Sequence, residues 1–214
     1  MRVTEIFYSI QGEVSGIGEP TIFVRLQGCN LKCEWCDSKY SWVSPYQVLT
    51  VQDVINQIKE YKCKNIVITG GEPLLQQDEL ISLLGHLYDY QITIETNGTI
   101  KPCFALLDRV DRWNISPKLG FINYNTLKHI IEELCERDNY IFKIVVQDQN
   151  DVKQIRDLLY ILNIPKHKVY LMPCASNRSA YIDESRFVVE QCKEHGFNFS
   201  PREHIVIWGD KRGV

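Results

Sequence analysis

The stretch Cys29-Asn30-Leu31-Lys32-Cys33-Glu34-Trp35-Cys36 carries three thiols separated by three and then two residues, with an aromatic side chain just before the last. Soft thiolates suit zinc and the iron of iron–sulfur clusters. A structural zinc site closes with four ligands, commonly as two separated pairs, and this loop offers three with no matching second pair. An iron–sulfur cube held by three cysteines keeps one iron open for an outside ligand, whereas ordinary clusters use four. The spacing therefore favours a cluster that binds something. Zinc and reduced structural thiols are the competing readings.

Outward from this loop, Thr21-Ile22-Phe23-Val24-Arg25-Leu26 reads as a buried strand that feeds it directly. Further β-branched runs at 65–68, 91–95, 112–115, 140–146 and 168–172 predict five more strands. Helical patterns lie between them. The first opens at Thr50-Val51-Gln52-Asp53, which resembles a capping box, and runs to about residue 61. Others are expected near 78–87, 125–135, 151–162 and 183–195, the last preceding a polar tail. Strands alternating with helices imply parallel pairing and an α/β fold. Six such units are too few for a closed eight-stranded barrel and fit a partial (βα)6 barrel. In α/β barrels the chemistry collects at the C-terminal ends of the strands, and the thiol loop follows the first strand.

The 214 residues, 44% hydrophobic and 24% charged, are ordinary for one soluble globular domain. A net charge of −3 gives no basic footprint for nucleic acid or an anionic membrane. The first residues lack the apolar core of a signal peptide, and no apolar stretch of about 18 residues predicts a membrane span. Eight cysteines without a secretory signal do not read as a disulfide scaffold, so a reducing cytoplasm is the expected compartment. Cys63, Cys103, Cys135, Cys174 and Cys192 are scattered and read as packing residues, with Cys174 alone placed near the site.

The Cys-x3-Cys-x2-Cys loop with its aromatic resembles the radical S-adenosylmethionine (SAM) enzymes. Phe7-Tyr8-Ser9-Ile10-Gln11-Gly12-Glu13, Phe23-Val24-Arg25-Leu26-Gln27-Gly28-Cys29-Asn30-Leu31 and Cys36-Asp37-Ser38 resemble the 7-carboxy-7-deazaguanine synthase family of the queuosine pathway. The resemblance continues to Trp208-Gly209-Asp210-Lys211-Arg212-Gly213-Val214, nearly the whole chain. It implies one radical SAM domain over 1–214, with an N-terminal substrate-binding segment and a C-terminal tail closing the site. It implies a lyase that converts 6-carboxy-5,6,7,8-tetrahydropterin to 7-carboxy-7-deazaguanine with ring contraction and loss of ammonia. The implied cofactors are a 4Fe–4S cluster on Cys29, Cys33 and Cys36, SAM at the open iron, and Mg2+. A homodimer and an electron donor such as a flavodoxin or ferredoxin are implied as well.

Arg25 sits inside an apolar strand, where an unpaired charge is costly, and its planar fork suits a carboxylate. A structural salt bridge is the plainer reading; under the resemblance the partner is the substrate carboxylate. Ile10, Gln11 and Gly12 would then offer backbone and amide groups to the pterin, with Glu13 beside them. Thr69-Gly70-Gly71-Glu72-Pro73 is a tight turn in which paired glycines allow close backbone approach. The resemblance assigns Thr69 to substrate and Gly71 to SAM, and Trp35 joins the SAM-binding set. In Ser116-Pro117-Lys118 the ammonium would pair with the SAM carboxylate, and Met172 and Pro173 would frame its adenine; a solvated loop lysine and core packing of Met172 are the plainer readings. Glu95 could accept from ribose hydroxyls, or be a solvated loop acid. Ser38 stands where the family carries a magnesium-binding threonine; serine keeps the oxygen and loses a methyl that restricts its rotamers. The Val214 carboxylate would accept from the pterin amino group, and His204 could face the substrate. No side chain demands a general acid or base role. A glycyl-radical activase and a non-catalytic zinc or iron–sulfur module are the rival functions; the activase would not require Arg25 or the Ile10-Gln11-Gly12 segment, and zinc without iron or sulfide would favour the module.

Overall fold

Arg2–Ile10 (β1) and Pro20–Leu26 (β2) pair as an antiparallel hairpin in which Phe7 lies opposite Phe23 and Glu5 opposite Arg25. The structure, a computed structural model, describes residues 1–134 and 136–214. After the hairpin come Tyr40–Val43 (α1), Gln47–Val48 (β3), Val51–Lys59 (α2), Asn65–Gly70 (β4), Gln77–Leu84 (α3) and Gln91–Thr96 (β5). Phe104–Arg109 (α4), Arg112–Ile115 (β6), Tyr124–Leu134 (α5), Tyr140–Val146 (β7) and Gln149–Leu162 (α6) follow. The chain ends with Val169–Pro173 (β8), Arg178–His195 (α7), Asn198–Phe199 (β9) and Glu203–Trp208 (α8).

The strands form one sheet in the order β3-β1-β2-β4-β5-β6-β7-β8-β9. From β2 to β9 every pairing is parallel, and only the β1 and β3 edge is antiparallel. The six expected parallel strands are all present in sequence order, which is the partial (βα)6 barrel. β9 extends it at one edge and the β1–β3 pair at the other.

Successive strand residues point to opposite faces, and here the two faces differ in chemistry. Ile22, Val24 and Leu26, Ile66 and Ile68, Ile92 and Ile94, Trp113 and Ile115, Phe142, Ile144 and Val146, and Val169 and Leu171 are all buried in one hydrophobic core. That core also takes in Val54, Ile55 and Ile58 of α2, Leu80, Leu83 and Leu84 of α3, and Ile155, Leu158 and Leu159 of α6. The alternate positions carry Arg25, Thr69, Glu95, Asn114 and Lys143. Adjacent pairing puts Arg25 beside Thr69 and Glu95 beside Asn114, so the opposite face of the sheet carries a group of polar and charged side chains, interleaved with Phe23, Val67, Val145 and Met172.

Helix α2 begins as its sequence predicts. Thr50 accepts from the Asp53 amide and Asp53 accepts from that of Thr50, a complete capping box. Two expectations need correcting. The last long helix begins at Arg178, because Asn177 caps it by accepting from the Ala180 amide, rather than at Asp183. The segment read as a polar tail contains β9 and α8. Cys192 is buried, and Cys63 and Cys103 are half-buried against the core; Cys135 lies outside the described residues. Among the described residues no helix is long and apolar enough to cross a membrane.

Candidate active site

A cavity of about 560 Å3 opens where the parallel strands end. Its wall contains Ile10, Gln11, Gly12, Arg25, Cys29, Cys33, Trp35, Cys36, Ser38, Thr69, Gly71, Ser116, Lys118, Met172 and Val214. Residues separated by most of the chain are thus gathered around one space. Pro117 and Pro173 lie just outside its lining.

The thiol loop is fixed by its neighbours. Gly28 donates its amide to Ser41 O at 2.7 Å, and Asn30 bonds both Thr99 and Asn97, at 2.8 and 3.0 Å. The glycine turn after β4 presses on the same loop. A Cβ on Gly71 would lie 2.2 Å from Gly28 O and 2.8 Å from Cys29 Cβ; one on Gly70, at φ +146°, would lie 2.2 Å from Leu26 O. The turn's Glu72 amide donates to Gly28 O at 2.8 Å. The fully buried Glu72 carboxyl accepts from Leu74 N, Thr96 Oγ1 and Asn97 N at 3.0, 2.9 and 2.7 Å. Burial pushes its pKa up despite those donors. Glu72 and Asn97 tie three strand-end loops together, a role no local motif announces.

Among the described residues no three His, Cys, Asp or Glu side chains converge as a ready-made metal-binding group. What fits an iron–sulfur cluster is the donor set: three thiols of one loop, all on the cavity wall. Burial raises the Cys29 and Cys33 thiols, and the neighbouring thiols of the loop push the same way. Metal coordination is the change that relieves such a set, since ligating sulfur is deprotonated. Lys118 stands over this loop. Its Nζ donates to Ser116 Oγ at 2.6 Å and lies 5.7 Å from the Trp35 ring centroid. Burial, then Lys143, lowers its pKa, while Asp37 and the thiols oppose the shift.

Deeper in, a chain of alternating charges crosses the cavity. Arg202 donates to Asp37 and to Ala175 O, and its Nε donates to Glu13 at 3.1 Å. Glu13 also accepts from Lys143 Nζ at 2.5 Å; Lys143 reaches Glu95 at 3.4 Å, and Glu95 accepts from Thr69 Oγ1 at 3.1 Å. Burial alone would raise the Glu13 pKa, but the Lys143 and Arg202 cations outweigh it and hold the carboxyl well below the usual range. The same contacts raise Lys143 against the opposing effect of burial. His204 sits 3.9 Å from Glu13, and burial keeps its imidazole on the neutral side of its ordinary value. Asp37, Lys143 and Arg202 were not singled out in the sequence. Lys143 had a signal: it is a charge inside an apolar strand, as Arg25 is.

Arg25 has a partner within the chain, Glu5 Oε1 at 2.8 Å. The salt bridge expected as the plainer reading is present, and Arg25 still lines the cavity. Gly12 packs beneath α8, where a Cβ would meet His204 Nδ1 at 2.5 Å. Two buried polar atoms of cavity-lining residues, Ser9 Oγ and Gln11 Nε2, have no hydrogen-bond partner among the described residues. A buried donor without a partner costs stability, so these atoms suit a polar ligand.

The profile of the Radical SAM superfamily matches residues 23–145. Over its whole length the chain is 34% identical to the 7-carboxy-7-deazaguanine synthase of Pyrobaculum aerophilum, of which 97% is covered. It is 30% identical to that of Clostridium acetobutylicum, with 100% of this chain and 99% of the relative covered. Among solved structures, that of QueE from Escherichia coli superimposes with a TM-score of 0.72 at 26% identity, covering 93% of this chain and 92% of the other.

Proposed function

Because the chain belongs to the 7-carboxy-7-deazaguanine synthase family of radical SAM enzymes, we propose that it converts 6-carboxy-5,6,7,8-tetrahydropterin to 7-carboxy-7-deazaguanine in the cavity at the strand ends. The observation that carries this reading is the meeting there of the three-thiol loop, the glycine turn, Lys118, Arg25 and Gln11. The whole of 1–214 acts as one domain, closed over substrate by the tail.

Cys29, Cys33 and Cys36 would hold the 4Fe–4S cluster. When bound, cluster and SAM supply a 5′-deoxyadenosyl radical able to take hydrogen from C6 of the pterin. The protein's work is binding and orientation. Gly71, Trp35, Met172 and Pro173 would frame SAM, and Lys118 with Ser116 and Pro117 its methionyl carboxylate. Arg25 would take the pterin carboxylate, while Ile10, Gln11, Gly12 and Thr69 meet the ring and Val214 its amino group. Ser38 would offer an oxygen to Mg2+. Its hydroxyl lies 3.7 Å from Cys36 Sγ, which sets any such ion close to the thiol loop. Because Lys143 and Arg202 hold Glu13 ionised, it serves as an acceptor for pterin N–H groups and not as an acid. The homodimer and a flavodoxin- or ferredoxin-type donor belong to the same proposal.

The test is anaerobic turnover of reconstituted protein with SAM, a low-potential reductant, Mg2+ and 6-carboxytetrahydropterin. Deoxyadenosine and deazaguanine product should appear together and both fail in Cys33→Ala. Arg25→Ala should lose product formation. Deoxyadenosine without product would keep the radical chemistry and remove the substrate. Neither product, from a verified reducible cluster with SAM bound, would overturn the proposal.

A further inference from the structure

One charge cluster on the cavity wall is used by this reading only at Arg25. Glu5 lies between two guanidinium groups: Arg25 Nε at 2.8 Å from Oε1 and Arg212 Nη2 at 3.5 Å from Oε2. Arg212 comes from the C-terminal tail, 207 positions from Glu5. Both guanidinium groups also face Tyr40, with Cζ 3.5 Å from the ring centroid for Arg212 and 5.6 Å for Arg25. All four side chains line the cavity.

Burial and the Glu5 charge raise the Tyr40 phenol, although Arg25 and Arg212 pull the other way, so it stays neutral at pH 7. One carboxylate between two guanidinium groups leaves one positive charge over within the cluster, while Lys211 and Asp210 of the tail, both on the cavity wall, offset each other. Among the described residues Arg25 meets Glu5 through Nε and Arg212 through one Nη. Each planar fork offers five N–H donors, so donors remain for a second acid. Exposure orders the two arginines: the Arg212 side chain is 50% exposed and that of Arg25 16%. An acid arriving from solvent meets Arg212 first.

We propose that Arg212 is a specificity-determining residue for the substrate carboxylate. With Arg25 it forms a two-guanidinium clamp, assembled when the tail lies over the cavity. Glu5 and Tyr40 are positioning residues: Glu5 keeps the two like charges together, and Tyr40 fixes the Arg212 plane by stacking. The inference rests on the assignment of Arg25 to that carboxylate.

The experiment titrates reconstituted protein anaerobically with two stable oxidised analogues, 6-carboxypterin and pterin, which differ by the carboxylate alone. Wild type should bind the carboxylated analogue more tightly. Arg212→Ala should weaken 6-carboxypterin about tenfold, the scale of one charge-assisted hydrogen bond, and leave pterin within about twofold; Arg212→Lys should fall between. In turnover, Arg212→Ala should raise KM more than it lowers kcat. Equal weakening of both analogues would reduce Arg212 to tail packing and overturn the clamp, as would unchanged binding of both. If wild type itself does not distinguish the analogues, the carboxylate role of Arg25 fails first and the clamp with it. A melting temperature for each variant separates loss of fold from loss of recognition.

Discussion

At Gly71 the room for one methyl group decides where the thiol loop sits. Its backbone is not at positive φ, so the constraint is contact alone: an added Cβ would overlap Gly28 O and crowd Cys29. Gly71→Ala should cost about 1–3 kcal/mol, as overpacking does, and lower iron and sulfide per chain after anaerobic reconstitution. Unchanged melting temperature and iron content would show that the loop yields freely. Glu13 makes a second residue-scale prediction. A carboxyl whose native pKa is depressed contributes its full stability above the ordinary carboxylate value and loses it as pH falls toward the native one. Urea melts from pH 7 to pH 3 should therefore show wild type weakening on the acid side. Glu13→Gln should be less stable at pH 7 by about 3 kcal/mol, typical of a broken buried pair, with a flatter acid limb. An equal acid slope in both proteins would place the titrating group elsewhere.

Single elements were legible where their pattern was internal to them. The six core strands are short β-branched runs bounded by turns, and the Thr50–Asp53 capping box announces α2 from four residues. β1 does not announce itself because only two of its residues pair with β3 on its outer side and most of Arg2–Ile10 is half-buried, so neither alternation nor a continuous apolar run marks it. β9 and α8 are too short, at two and six residues, to carry a period. The start of α7 is hard to place from sequence because Asn177, its cap, is followed by Arg178 and Ser179 and not by apolar residues. That cap can be tested: Asn177→Ala should cost about 1 kcal/mol, read in urea melts, and a change within error would show that the first turn of α7 is held by its packing.

Across the whole molecule, the half of the site set by motifs was readable and the half set by topology was not. The thiol loop, Arg25 and the glycine turn announce themselves locally. The chain of charges does not: Glu13 and Lys143 are 130 positions apart, and Glu13 and Arg202 189. Only the assembled sheet and its strand-end loops bring them together. The tail's part in the whole is separable from folding. Deleting residues 210–214, which are half-buried or exposed, should leave the melting temperature within about 2 °C, as surface changes do, while raising KM. A large fall in melting temperature would make the tail a structural strap instead. The two-faced strands carry a wider consequence. Positions that hold the molecule together, such as Val24, Ile68, Ile94 and Ile144, alternate with those that line the cavity, such as Arg25, Thr69, Glu95 and Lys143. Heritable change can therefore revise the second set while the first stands untouched, and a lineage built on this sheet is free to explore new substrates without first surrendering its fold.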